Sequence, residues 1–176
     1  MIVHTLFPST VCFFELDRNL TKREMNFIMK QKQKPNEGNK TSIDSNLLKS
    51  KTLKNLNCFI ENSFQEYATN ILRVKNNVKL DITQSWANFT KKGEYHHKHN
   101  HSNSFLSGVF YVQVEEDMDQ IMFFKEGYSQ IKLESRDFNV HNSDSWFFTV
   151  KSNQLAIFPS SLTHMVPPTD TEQRVS

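Results

Sequence analysis

The feature that most limits how this chain can fold is a succession of short strand-like segments through its second half. Candidate strands fall at 80–89, 94–98, 105–114, 120–124, 130–134, 146–150, 154–158 and 162–166, most of them rich in Val, Ile, Phe, Tyr, Trp or Thr. Turn-forming clusters separate several of them, among them Lys92-Gly93, Glu126-Gly127 and Asn142-Ser143-Asp144. Many short strands at even spacing bury a core by packing sheet on sheet or by closing on themselves, so a sandwich or barrel is expected.

The first half supplies different material. Residues 2–16 alternate and read as one or two short strands. A helix start follows at Thr21-Lys22-Arg23-Glu24, where Thr21 caps and Glu24 reaches back, with Met25, Ile28 and Met29 as the apolar face. Residues 30–50 lack apolar periodicity, contain Pro35 and Gly38, and read as a long loop. From Leu53 the pattern is helical: Leu53, Leu56, Ile60, Phe64, Tyr67 and Ile71 recur at steps of three and four. That stripe is a core face. Two helices followed by about eight strands predict a mainly β, cupin-like double-stranded β-helix (a jelly roll) with N-terminal helices packed on one face. A single domain over 1–176 is expected, with 1–78 as support and 79–176 as the jelly-roll core.

Composition removes several function classes. Lys+Arg 21 against Asp+Glu 19 gives a net charge of +2, no electrostatic reason to invoke nucleic acid or an anionic membrane. The Lys30-Gln31-Lys32-Gln33-Lys34 stretch reads as solvated loop. Two cysteines, Cys12 and Cys58, stand far apart outside any CxxC, which favours a reducing compartment, and Cys58 reads as a small apolar residue of the second helix. The N-terminus has no basic region followed by a long apolar stretch, and no run is long enough to span a membrane. A cytoplasmic protein is expected.

The chemistry lies in the histidines. His96, His97, His99 and His101 crowd into Tyr95-His-His-Lys-His-Asn-His101. On a regular strand His97, His99 and His101 share one face and His96 points away. Imidazoles two apart on a strand can seize one metal ion with a third ligand from elsewhere, and neutral imidazole suits iron, zinc, copper or nickel. His164 is the downstream candidate, and a jelly roll brings its strand beside the first pair. Arg174, ten residues later, then lies deep in the same barrel, where its planar fork suits a carboxylate.

Taken together, His99-Asn-His101, Ser107-Gly-Val-Phe-Tyr111, the stretch from Phe158 through His164 to Pro168, and Arg174-Val-Ser176 resemble the 2-oxoglutarate/iron(II) oxygenases of cyanophages and marine bacteria. The lead-in Ser85-Trp86-Ala87-Asn88 with Gly93 is similar too. The resemblance covers Trp86 to Ser176 well and the N-terminal half loosely. It implies a jelly roll carrying iron(II), held by His99, His101 and His164. It further implies 2-oxoglutarate as cosubstrate, with its distal carboxylate on Arg174 and Ser176 and with Tyr111 and Asn88 nearby. The reaction it implies is hydroxylation of an unidentified substrate, with release of succinate and carbon dioxide. Those small molecules are the expected partners. The wider superfamily has Asp or Glu where this chain has His101, so a carboxylate is missing from the usual facial triad. His97, or an acid such as Asp144 or Glu94, stands as an alternative second ligand. Trp86, Phe105, Phe110 and Tyr111 are candidate cavity residues. The resemblance also implies a last strand running past Ser176, so the core reads as truncated.

Two rivals differ in class. One is a cupin-like three-histidine metalloenzyme that makes no use of 2-oxoglutarate; the other is a non-catalytic phage jelly roll that binds a ligand. Arg174 discriminates against the first, and stoichiometric metal against the second.

Overall fold

A computed structural model describes residues 1–127, 131 and 133–176. In chain order the elements are β1 (Cys12–Glu15), α1 (Lys22–Met29), β2 (Gln33–Pro35), β3 (Lys40–Ser42), α2 (Lys54–Asn70), β4 (Asn88–Lys91), β5 (His96–His99), β6 (Leu106–Phe110), β7 (Gln120–Phe124), β8 (Ser145–Thr149), β9 (Gln154–Pro159), β10 (His164–Val166) and β11 (Gln173–Val175). The fold is mainly β. Its sheets run β1-β9-β6, β5-β10-β7-β8 and β11-β4-β3-β2, with antiparallel pairing throughout. A bridge between Gln113 and Val175 ties β11 to the chain leaving β6.

The helical support forms as its sequence dictates. Thr21 accepts the Glu24 N–H at 3.2 Å, and the Glu24 carboxylate accepts the Thr21 N–H at 2.8 Å, closing the capping box. The same carboxylate takes both arms of Arg18 at 2.7 and 2.8 Å. Those Arg18 bonds, with help from Thr21, hold the buried Glu24 carboxyl down at about 2. In α2 the expected stripe buries Leu56, Ile60 and Tyr67, preceded by buried Leu53. Phe64 packs partly buried against the same core, while Ile71 at the end is exposed. Cys58 lies in α2 as expected, but its face of the helix is exposed, unlike that of a small apolar residue turned to the core. The helix presses closely on β6: a Cβ at Gly108 would meet the Phe64 ring at 2.9 Å. Only glycine lets strand and ring approach so nearly.

Several elements depart from the sequence reading, each for a physical reason. Of residues 2–16 only Cys12–Glu15 pair, against β9, and residues 2–9 are exposed. The expected loop 30–50 contains the β2–β3 hairpin and the 3-10 turn Leu47–Lys49, and a second 3-10 turn, Lys51–Leu53, follows it directly. Its strands are polar, and β2 is exposed along its length, so no apolar period marked them. The strand expected at 80–89 begins only at Asn88; residues 80–87 instead line a cavity, and their apolar side chains report that wall rather than a ladder. The candidate 130–134 falls partly outside the described residues; Ile131, Leu133 and Glu134 are exposed and lie in no strand. Among the described residues no helix is long and apolar enough to cross a membrane.

Candidate metal centre

β5 and β10 lie side by side with His99 opposite His164, and this register makes the site. His101 stands just beyond the end of β5, its backbone N–H donating to Ser160 O at 3.0 Å. Ring centroids are 4.4 Å apart for His99–His164, 4.9 Å for His99–His101 and 5.2 Å for His101–His164. One ligand atom from each of the three lies within 4.8 Å of the others. The structure thus brings together all three residues singled out from the sequence.

The second-row contacts decide which nitrogen faces the metal position. His99 Nδ1 is 2.7 Å from His97 O, and His164 Nδ1 is 3.0 Å from Leu162 O. A carbonyl only accepts, so each Nδ1 carries the proton and each Nε2 keeps its lone pair for an ion. Burial draws His164 down to about 3 and His101 to about 4, and lowers His99 against the opposing effect of its bond to His97 O. All three are therefore neutral at pH 7, the form in which imidazole binds metal. Among the described residues no carboxylate joins a metal-capable group, so neither Asp144 nor Glu94 replaces His101 in this geometry.

The strand alternation expected for the histidine run fails at one point. Along β5 and β10 the pairing passes from His99–His164 to His96–Val166, three steps against two, which is a bulge. The extra residue turns His96 onto the side of His99, with ring centroids 4.5 Å apart, and His96 lines the cavity. Sequence reading sent it the other way because nothing in Tyr95-His-His-Lys-His marks a bulge.

The cavity, of about 830 Å³, is walled by residues 80–88, by Phe105 and Phe110, and by His96, His99, His101 and His164. That volume lies within the range typical of small-molecule sites. Trp86 faces His101 at 5.8 Å between rings. At another wall stand Asn88, Arg174 and Ser176, where β4 and β11 pair. Arg174 is 1% exposed; its Nη1 donates to Gln120 O at 2.8 Å, while its buried Nη2 has no partner. Asn88 Oδ1 and the Tyr111 hydroxyl are likewise buried without partners. Tyr111 does not line the cavity; Arg174 stacks over its ring at 5.5 Å.

Behind Arg174 lies a network that sequence reading missed. Asp119 Oδ1 is 3.6 Å from Arg174 Nη1, and the carboxylate accepts from Thr169 Oγ1 at 2.7 Å, Thr171 Oγ1 at 3.0 Å and Glu115 N at 2.9 Å. In the sequence Glu115-Glu116-Asp117-Met118-Asp119 looks like a solvated acidic turn, which hid Asp119, the buried acid of that run.

Comparison with known proteins places this site in a family. A family model described as "Putative 2OG-Fe(II) oxygenase" matches residues 84–176, the span that carries the histidines and Arg174. The chain belongs to the 2-oxoglutarate/iron(II) oxygenase family. Among solved structures it is similar to an oxidoreductase of the 2OG-Fe(II) oxygenase family from Burkholderia pseudomallei, with TM-score 0.60 and 10% identity over 85% of this chain and 71% of that one. A Pseudomonas putida prolyl-4-hydroxylase aligns with TM-score 0.56 and 11% identity, over 97% of this chain and 90% of that one. At such identities the likeness speaks for the fold alone. No curated protein matches the chain.

Proposed function

We propose that this chain is a 2-oxoglutarate-dependent dioxygenase that hydroxylates a substrate, with iron(II) held by His101 and by Nε2 of His99 and His164. The observation that carries the reading is the unpartnered Nη2 of Arg174, nine-tenths and more buried on the wall of the cavity that also holds the imidazoles. A buried guanidinium N–H without an acceptor is costly, and a ligand carboxylate removes that cost. A three-histidine enzyme without an oxo-acid cosubstrate leaves that donor unexplained. Iron(II) and 2-oxoglutarate, when bound, would supply the oxidation with dioxygen, one oxygen atom ending in succinate as carbon dioxide is released and the other in the hydroxylated substrate.

This chain's own residues bind and orient. Arg174 receives the distal carboxylate, with Ser176 and Asn88 beside it on the same wall. An Asn amide turned to offer its N–H groups would serve there, since Oδ1 and Nδ2 exchange places by rotation. Tyr111 supports the guanidinium from beneath through its ring. The backbone carbonyls of His97 and Leu162 fix the tautomers, and Trp86, Phe105 and Phe110 keep the wall apolar. The sheet β5-β10-β7-β8 shares a buried core with β9 through Phe123 and Phe158, and the Gln113–Val175 bridge joins β11 to the chain after β6; both support a double-stranded β-helix for residues 79–176 with 1–78 as its brace, in one domain.

The test is anaerobic titration of the chain with iron(II) and then 2-oxoglutarate. A weak visible charge-transfer band that saturates at one cosubstrate per iron is expected. Iron bound without any response to 2-oxoglutarate would leave the metal site standing and remove the cosubstrate.

A further inference from the structure

The bulge in β5 has a consequence at the mouth of the metal centre. It gathers His96, His97 and His99 into a second group whose ligand atoms also lie within 4.8 Å of one another. Ring centroids are 4.5 Å apart for His96–His99, 4.7 Å for His97–His99 and 5.2 Å for His96–His97. His99 belongs to both groups. Its Nδ1 is committed to His97 O, so only Nε2 can coordinate, and Nε2 serves one ion at a time. The two groups are therefore alternative positions for a single ion.

They differ in access. The inner group ends in His164, 5% exposed. The outer group contains His97, whose side chain is 29% exposed; its Nδ1 lies 3.4 Å from the carbonyl oxygen and 4.0 Å from Oε2 of Glu37, in the turn of the β2–β3 hairpin, so Nδ1 carries the proton and Nε2 is left to coordinate. The hairpin is fastened there by Tyr95 N–H donating to Gly38 O at 3.0 Å and by Asn36 Nδ2 at 3.3 Å from His96 Nε2. Gly38 has φ +84° and sits so close to Tyr95 that a Cβ would lie 2.6 Å from its carbonyl oxygen, so the turn that carries Glu37 has little freedom to shift. Three imidazoles, one of them partly exposed, are a donor set for a hydrated divalent transition-metal ion.

We propose that His96 and His97 form an outer metal station that shares His99 with the inner triad. A divalent first-row transition-metal ion is captured at the outer station and passes to His101 and His164 with His99 as the pivot. The proposal rests on the inner triad being the resting metal site, and its test separates the two.

Cobalt(II), which is stable in air, serves as the probe, with the metal-free full chain titrated by calorimetry and d–d absorption. The parent should take up one cobalt per chain. His164→Ala should still bind one cobalt, weakened by more than the roughly 10–100-fold that loss of an outer-shell partner costs. Adding His97→Ala or His96→Ala to that variant should then remove binding. If His164→Ala does not fold, as judged by circular dichroism, His101→Ala replaces it in the same design. In the otherwise unaltered chain, His97→Ala should slow cobalt uptake in stopped flow. A folded His164→Ala that binds no cobalt, or one whose residual binding ignores His96 and His97, would overturn the outer station while leaving the inner triad intact. An unchanged uptake rate in His97→Ala would overturn the capture step. A parent that binds no cobalt would overturn the triad itself.

Discussion

The two ends of the cavity are built on opposite principles. At the metal end, imidazoles crowd along the bulged β5 and its neighbour β10, His99 and His164 each held by a single backbone carbonyl, and the edge of the cluster reaches solvent at His97. At the other end Arg174 and Asp119 have side chains 1% and 0% exposed, and hydroxyls of Thr169 and Thr171 lock the acid. The first is a place for a group that arrives with its own bonding demands and can pull flexible ligands into order. The second must be finished before its ligand arrives, because a charge in so dry a place cannot rearrange cheaply. One end adapts; the other is preorganised.

Removing ligands gives the largest expected effect. His99→Ala takes away the imidazole common to both histidine groups, so metal binding should fall below detection in a cobalt titration. The fold should survive, since open metal sites of this kind rarely supply the core. Tight binding by His99→Ala would show that the adaptable end is not where the ion sits.

Next in size is Arg174→Ala. Truncating one partner of a buried charged pair commonly costs about 2–5 kcal/mol, or roughly 30-fold to several thousand-fold in 2-oxoglutarate affinity. Metal affinity should change little, and Arg174→Lys should recover only part of the loss, because an ammonium is a point charge rather than a fork. Equal 2-oxoglutarate affinity in parent and Arg174→Ala, measured by anaerobic titration, would sink the cosubstrate assignment.

The same contrast explains what could be read from the sequence. The metal end was legible because its chemistry resides in residue type: His99, His101 and His164 announce themselves whatever the backbone does. Its one error, His96, came from backbone geometry, since a bulge inverts alternation without leaving a residue signature. The anchoring end was half legible. Arg174 was visible by its distance from His164, yet Asp119 was not, because burial of an acid is decided by tertiary packing. The fold shows the same division. Apolar stripes such as Leu53, Leu56 and Ile60 were plain, whereas β2 and β3 pair through backbone and show no apolar period at all.

A smaller effect is expected behind the cavity. Gly108→Ala would set a Cβ 2.9 Å from the Phe64 ring and 3.3 Å from Ala156 O. Overpacking of this kind costs about 1–3 kcal/mol, which a urea midpoint would register, with α2 pushed off β6. Unchanged stability would mean that the helical brace yields readily. Rigidity would then be confined to the Arg174 end.

The smallest effect asks whether the metal end is indeed held neutral. In the metal-free chain burial keeps His164 and His96 at about 3 and His101 at about 4, whereas in the unfolded chain each takes up a proton near the usual value of about 6.5. Between those limits the unfolded state binds more protons than the folded one, so stability must fall as the pH falls, and must be indifferent to these groups above about 6.5. Most carboxylates titrate lower, and Glu24, held at about 2, contributes stability that is lost only as pH falls through the ordinary carboxylate range toward 2. The window from pH 6.5 to 5 therefore isolates the histidines. For His164, 5% exposed, the slope is at most about 1.4 kcal/mol per pH unit. The metal-free parent should show a urea midpoint that is flat from pH 8 to about 6.5 and declines below it, and His164→Gln should decline less steeply. Identical slopes in the two proteins would mean that His164 is as free to take a proton as any surface histidine, and the picture of imidazoles kept neutral by burial, waiting for an ion, would fail at its most buried member.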